Sequence, residues 1–169
     1  MSLKPVVSEA DHIQGNSKAE LTIVEYGDYQ CYHCGQAYLV LREIMGELGS
    51  QIRFVFRNFP LSEMHPWARP AALAAEAASL QGKFWDMHDA IYEKQLYLSY
   101  ELLLEIAQQL QLDVNRFKSD ILSEQTRDRV NADFESGMIS GVNGTPTFFV
   151  NGQKFDGGAI DLFQLLREG

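Results

Sequence analysis

Cysteine is almost absent from this chain: Cys31 and Cys34 are the only two in 169 residues. That excludes a disulfide-stapled scaffold, because bridging two residues so close in sequence closes a very small loop and removes little chain entropy. Such a pair reads as chemistry rather than stapling. Basic residues are in deficit too. Fourteen Lys and Arg face 23 Asp and Glu, a formal net charge of −9. The positive footprint that nucleic acid or an anionic membrane surface requires is missing. No run approaches the ~20 apolar residues of a transmembrane helix. A glycine-rich phosphate loop, a Ser/His/Asp spacing, internal repeats and low-complexity tracts are also missing. Met1-Ser2-Leu3-Lys4-Pro5 has no apolar stretch of the kind a secretory signal needs. This says little about export, since a natural leader can be removed upstream.

What is present fits one globular domain with an insertion. A chain of this length buries roughly two-thirds of its unfolded surface on folding. A composition 46% hydrophobic and 22% charged is ordinary for a packed core and argues against a largely disordered chain. Residues 1–20 read as polar and irregular. Leu21-Thr22-Ile23-Val24-Glu25-Tyr26 is rich in β-branched and aromatic types and reads as a strand. A helix is expected over 32–48, where Ala37, Tyr38, Leu41, Ile44, Met45 and Leu48 fall on one face. Gly49 sits where a C′ glycine would end it, and 52–56 reads as a second strand. Strand, helix and strand make a βαβ unit, for which parallel strands and a right-handed crossover are expected.

Residues 62–140 contain no convincing strand. Helices are expected over 70–80, through the aromatic stretch 84–92, over 101–110, over 114–122 with Asp113 as cap, and over 124–137. The Ala/Leu and aromatic stripes read as core rather than as a cofactor site. The end returns to β: 147–150 and 153–155 flank Asn151-Gly152, the pair that supplies the two positive-φ residues of a type I′ turn. A helix over 160–167 follows. The expected organisation is α/β, βαβ…ββα, with 1–61 and 141–169 forming one domain and 62–140 an inserted helical subdomain.

Cys31-Tyr32-His33-Cys34 falls at the strand-to-helix junction. Unpaired N–H groups and the macrodipole at a helix N-terminus favour an anion, and the thiolate is the reactive form of cysteine. His33 can add positive charge or a hydrogen bond. Both effects lower the Cys31 pKa, and a stabilised thiolate makes the corresponding disulfide a better oxidant. Cys34, one turn into the helix, is placed to resolve a mixed disulfide. The same spacing can form half a zinc site, but His12, His65 and His88 are scattered and no second ligand pair exists. Two incidental core cysteines are the other alternative. Glu25, six residues before Cys31 in an apolar strand, is either a carboxylate under the dithiol that carries protons to Cys34 or an edge glutamate reaching solvent. Pro146, in Gly144-Thr145-Pro146-Thr147, cannot donate to a sheet ladder. Its bond to Thr145 makes either a cis kink or an ordinary trans turn. His65 and His88 read as packing or surface histidines.

Taken together these residues resemble a known family. Cys31-Tyr32-His33-Cys34 after a strand and Gly144-Thr145-Pro146 before a late hairpin are similar to the thioredoxin fold, and the helical insertion narrows the resemblance to the DsbA-like thiol–disulfide oxidoreductases. Three segments carry it: Val24 through Cys34, Gly82-Lys83-Phe84-Trp85-Asp86-Met87-His88, and Gly144 through Gly152. It covers residues 10–168. The resemblance implies Cys31 as the exposed attacking thiol, Cys34 as the resolving one, a buried acid at Glu25, and a cis Thr145–Pro146 bond that faces the dithiol and touches bound peptide. The best-studied members carry Pro-His between the cysteines, where this chain has Tyr32-His33, and Gly35-Gln36-Ala37-Tyr38 brings no additional carboxylate.

The function expected is oxidation of dithiols in unfolded or partly folded polypeptides through a Cys31–Cys34 disulfide. No cofactor is expected, a separate redox partner resets the pair, and Tyr32, Thr145 and Pro146 help bind substrate. Neither nucleic acid nor stable membrane insertion is expected. The resemblance implies an exported, periplasmic bacterial protein, with a cytoplasmic location left open. The alternatives are a reductase or isomerase using the same dithiol, and a thioredoxin-fold peptide-binding or chaperone module with an idle one.

Overall fold

The structure, a computed structural model, describes all of residues 1–169. Five strands and seven α-helices follow one another along the chain: β1 (His12–Gly15), β2 (Leu21–Gly27), α1 (Tyr32–Leu48), β3 (Ile52–Asn58), α2 (Ala68–Ser79), α3 (Phe84–Glu93), α4 (Tyr100–Gln109), α5 (Val114–Ile121), α6 (Glu124–Ile139), β4 (Thr147–Val150), β5 (Gln153–Phe155) and α7 (Ala159–Glu168). The chain forms two compact units. One holds Met1–Gly27, Tyr32–Arg57 and Glu135–Gly169; the other holds Asp28–Cys31 and Asn58–Phe134.

The first unit is built on one five-stranded sheet in the order β1-β3-β2-β4-β5. Its middle strands are apolar on both faces, so β2 is buried from Thr22 to Gly27. β4 pairs antiparallel with β2, Ile23 opposite Val150 and Tyr26 opposite Thr147. β4 and β5 form the expected hairpin, with φ of 47° at Asn151 and 84° at Gly152, as a type I′ turn demands. Ile44 and Leu41 of α1, Leu162 of α7, and Phe54, Phe56, Phe148 and Phe149 of the sheet are buried.

Two expectations fail here. His12–Gly15, read as irregular, is the edge strand β1, antiparallel to β3 with His12 opposite Phe56 and Gly15 opposite Arg53. Its half-buried His-Ile-Gln-Gly carries no alternation, and the partner strand supplies the ordering. Gly49 does not end α1 in a left-handed cap. It opens a short 3₁₀ turn, Gly49–Gln51, that runs straight into β3.

At the end of β3, Arg57 is 2% exposed and bonded through all three of its side-chain nitrogens. Its Nε and Nη2 form a fork on Asp11 at 2.8 and 3.0 Å, Nη1 donates to the Tyr26 hydroxyl at 2.9 Å, and Nη2 donates to the Pro5 carbonyl at 3.0 Å. Tyr26 Oη lies 2.8 Å from Ser136 Oγ. Burial works to lower the Arg57 pKa, but its hydrogen bonds to Asp11 and Tyr26 outweigh that and hold it above its ordinary value.

The second unit is helical. α2 is alanine-rich and buries eight of its twelve residues, since small side chains let neighbouring helices approach closely. It begins at Ala68 rather than at residue 70, with Pro70 in the first turn, where the missing N–H has no partner to lose. α4 is capped by Ser99 and α5 by Asp113, whose side chains accept from Leu102 N–H and Arg116 N–H. Met87, Ile91, Ile106 and Phe117 are fully buried, and Phe59 stacks on Phe134 with centroids 4.4 Å apart.

Two buried carboxylates in this unit share one donor. Asn58 Nδ2 donates to Glu76 Oε2 at 2.8 Å and to Asp133 Oδ2 at 2.9 Å, and the Asn58 backbone N–H donates to the same Asp133 oxygen at 3.0 Å. Hydrogen bonds to buried charged groups contribute about 1.5–3 kcal/mol each. Asn58→Ala is therefore expected to lower stability by about 2–3 kcal/mol in urea unfolding, and Asn58→Asp, which adds a third carboxylate, by more.

Candidate active site

β2 ends at Gly27 and α1 starts at Tyr32, so the intervening Asp28–Cys31 must turn sharply. Asp28 makes the turn. Its Oδ1 accepts from Gln30 N–H at 2.8 Å and from Cys31 N–H at 3.1 Å. Its Oδ2 accepts from Leu61 N–H at 2.9 Å and lies 2.8 Å from His65 Nδ1. An aspartate folding back on amides two and three residues ahead is an Asx-type turn. The rest of the loop is held as firmly. Tyr29 Oη lies 2.8 Å from His88 Nδ1, Gln30 Oε1 accepts from Trp67 N–H at 2.7 Å, and Gln95 Nε2 donates to the carbonyls of Tyr29 and Cys31 at 2.9 and 2.7 Å.

Cys31 immediately precedes the first helical residue and Cys34 is the third residue of α1. No acidic side chain lies in that first turn, and the carboxylate set against this positive helix end is that of Asp28, through Cys31 N–H. Cys31 is 6% exposed and Cys34 0%. The implied open thiol at Cys31 is thus corrected: the residue is nearly enclosed, because its loop is packed and hydrogen-bonded rather than projecting. The order of accessibility, first cysteine above second, is as expected. Tyr32 is 65% exposed and His33 is exposed beside it, their rings edge-to-face at 5.7 Å.

Glu25 is 2% exposed, which removes the reading of an edge glutamate in solvent. It stands opposite Phe148 of β4. Gly27 makes room for it: a Cβ there would meet Glu25 Oε2 at 2.9 Å and Phe56 at 2.4 Å. The Thr145–Pro146 peptide bond is cis. Thr147, next along, starts β4 opposite Tyr26 and donates from Oγ1 to the Gly144 carbonyl at 2.7 Å. Within the first unit, therefore, the strand pair β2–β4 carries both Glu25 and the entry from Pro146.

His65 and His88 are not merely filling space. Both bond the loop that carries Cys31, His65 through Asp28 and His88 through Tyr29. His88 is 3% exposed and ringed by Tyr29, Phe84, Trp85 and Tyr92. Asp28 was legible in principle, as an aspartate three residues before the junction. Gln95 has no local signature. No group of three or more His, Cys, Asp and Glu side chains converges as a metal site would require.

A family model described as thioredoxin matches residues 7–164, and the chain belongs to that family. Its fold is that of the DsbA-type thiol–disulfide oxidoreductases. The thiol–disulfide exchange protein alpha-DsbA2 from Wolbachia pipientis superposes with a TM-score of 0.83 over 95% of this chain and 86% of that one, at 24% identity. Oxidised BdbD from Bacillus subtilis superposes with a TM-score of 0.79 over 94% of both chains, also at 24% identity. Among curated proteins, the Na(+)/H(+) antiporter NhaA 1 of Salinispora arenicola is 43% identical over 153 residues, covering 90% of this chain and 23% of the antiporter. The chain spans about a quarter of the length of the curated relatives it matches. No helix of the structure is long and apolar enough to cross a membrane.

Proposed function

We propose that this domain is a thiol–disulfide oxidoreductase that oxidises dithiols of unfolded or partly folded polypeptides. The observation that carries this reading is the placement of the dithiol, with Cys31 at the mouth of α1 and Cys34 buried at its third position. In the first step a substrate thiolate attacks Sγ of Cys31 in the oxidised pair. The substrate–Cys31 bond forms as the Cys31–Cys34 bond breaks, and Cys34 leaves as a thiolate and takes up a proton. A second substrate thiolate then attacks the substrate sulfur of the mixed disulfide, forming the product disulfide and expelling Cys31 as a thiolate. The two electrons given up by the substrate thiols now reside on the dithiol, and a separate redox partner removes them.

Glu25 is the proposed proton carrier for Cys34. Burial favours the neutral form of a carboxyl, and a protonated Glu25 is the group that can neutralise the leaving thiolate. His33 and the open helix end stabilise the Cys31 thiolate. Tyr32 offers an exposed ring for an apolar substrate segment, and the backbone at Thr145–Pro146, running into β4, offers main-chain pairing that tolerates many sequences. The direction is set by the compartment, which we place outside the cytoplasm. Ion transport forms no part of this reading, since the antiporter named above is about four times longer than the stretch it shares with this chain.

The test is the equilibrium of the pair against a glutathione series, read by thiol alkylation and mass. A potential well above the ~−270 mV of a thioredoxin supports the oxidase. A thioredoxin-like value turns the enzyme into a reductase or isomerase. No exchange at all leaves a binding module.

A further inference from the structure

We infer that Gln95 is a positioning residue for the attacking cysteine, a role that rests on the dithiol reading above. Gln95 opens a single 3₁₀ turn between α3 and α4, Gln95–Tyr97. Its amide spends both of its N–H groups on the loop before α1, one on the Tyr29 carbonyl at 2.9 Å and one on the Cys31 carbonyl at 2.7 Å. The other side of Cys31 is held by Asp28, whose carbonyl and Oδ1 both lie 3.1 Å from Cys31 N. The nucleophile's backbone is thus fixed at its N–H and at its C=O, leaving the side-chain torsion as its main freedom.

The turn has little other work to do. Leu96 and Tyr97 beside Gln95 are 85% and 74% exposed, so neither anchors the turn in a core. The carbonyl that Gln95 grips belongs to the Cys31–Tyr32 peptide, whose N–H is the first of α1. The tilt of this peptide decides how squarely the helix end presents its donors to Sγ. Donors aimed in advance at a developing thiolate need no rearrangement when the disulfide opens. Gln95 touches neither sulfur. It acts by holding the peptide that opens α1.

Gln95→Met keeps the length and loses the donors; Gln95→Glu puts a carboxylate against two carbonyls. In the full chain, the pH profile of Cys31 alkylation by iodoacetamide is followed by peptide mass, beside the glutathione equilibrium and the melting temperature. Gln95→Met is expected to slow Cys31 alkylation at neutral pH three- to tenfold, to move the profile's midpoint upward, and to shift the glutathione equilibrium towards the Cys31–Cys34 disulfide by a similar factor. Gln95→Glu should do so at least as strongly. Unchanged profiles and equilibria in both variants, with or without a lower melting temperature, overturn the inference and leave Gln95 a structural residue. Should either variant fold poorly, Gln95→Ala is read the same way. If the unaltered protein itself fails to exchange with glutathione, the dithiol reading falls; the alkylation profiles still show whether Gln95 governs the Cys31 thiol.

Discussion

Cys31→Ala abolishes oxidation of a reduced peptide bearing two cysteines, whereas Cys34→Ala, offered the disulfide-linked dimer of a one-cysteine peptide, stops at a mixed disulfide: this pair of results is expected. The asymmetry follows from position. Cys31, at the cap of α1, keeps 6% of its surface exposed and Cys34 none, and the proposed cycle begins at Cys31 for that reason. Without Cys31 no disulfide forms within the protein and no mixed disulfide can begin, so turnover falls to the rate of the buffer alone. Without Cys34 the Cys31 thiolate still attacks the disulfide of the peptide dimer, bonding one peptide and expelling the other as its thiolate, but nothing inside the protein resolves the adduct. A covalent complex heavier by one peptide should accumulate in non-reducing mass spectra and vanish on adding reductant. Full activity of Cys31→Ala would leave the dithiol idle and turn the domain into a binding module.

Arg57→Met is expected to be the most damaging change far from the sulfurs. It strips Asp11 of its bidentate partner at a site where the two side chains are 3% and 7% exposed. Breaking a buried ion pair by removing one member costs about 3–5 kcal/mol, because the remaining charge is left in a medium that solvates it badly. For a chain of this size each kcal/mol lowers the melting temperature by roughly 2–4 °C. The double variant Arg57→Met, Asp11→Leu should recover much of the loss in urea unfolding, since it removes the stranded charge as well. If the double variant is no more stable than the single one, the damage lies in the lost bonds to Tyr26 and Pro5 rather than in the ion pair.

The site's chemistry was legible where it is local. Cys31 and Cys34 sit at a strand–helix boundary that periodicity alone locates, and Asn151-Gly152 announces its own turn through backbone torsions few other residues adopt. Asp113 was visible as a cap for the same reason. What escaped is what distant chain segments decide. His12–Gly15 is a strand only because β3 offers a row of partners. His65, His88 and Gln95 matter only because folding brings them against Asp28, Tyr29 and Cys31, and sequence spacing cannot say which polar residue will meet which carbonyl. The exposure of Cys31 was misjudged for a related reason: the loop carrying it is held by residues 30 to 64 positions away.

The same opening segment of the chain guards both rims of the sheet. At one rim β1 lies along β3. At the other, Ser2 bridges Gln153, Leu3 N–H donates to the Gly152 carbonyl at 2.8 Å, and Met1 accepts from Lys154 N–H at 2.9 Å. An uncovered rim is a row of idle donors and acceptors on which a second molecule can grow a strand. Fifteen residues thus act as a double hem, and the Arg57–Asp11 pair is the stitch between its two ends. Under the proposed function, in which the substrates are unfolded and strand-forming chains, such a hem has a particular use. A polypeptide substrate of that kind would then dock for exchange and find nowhere else to add on.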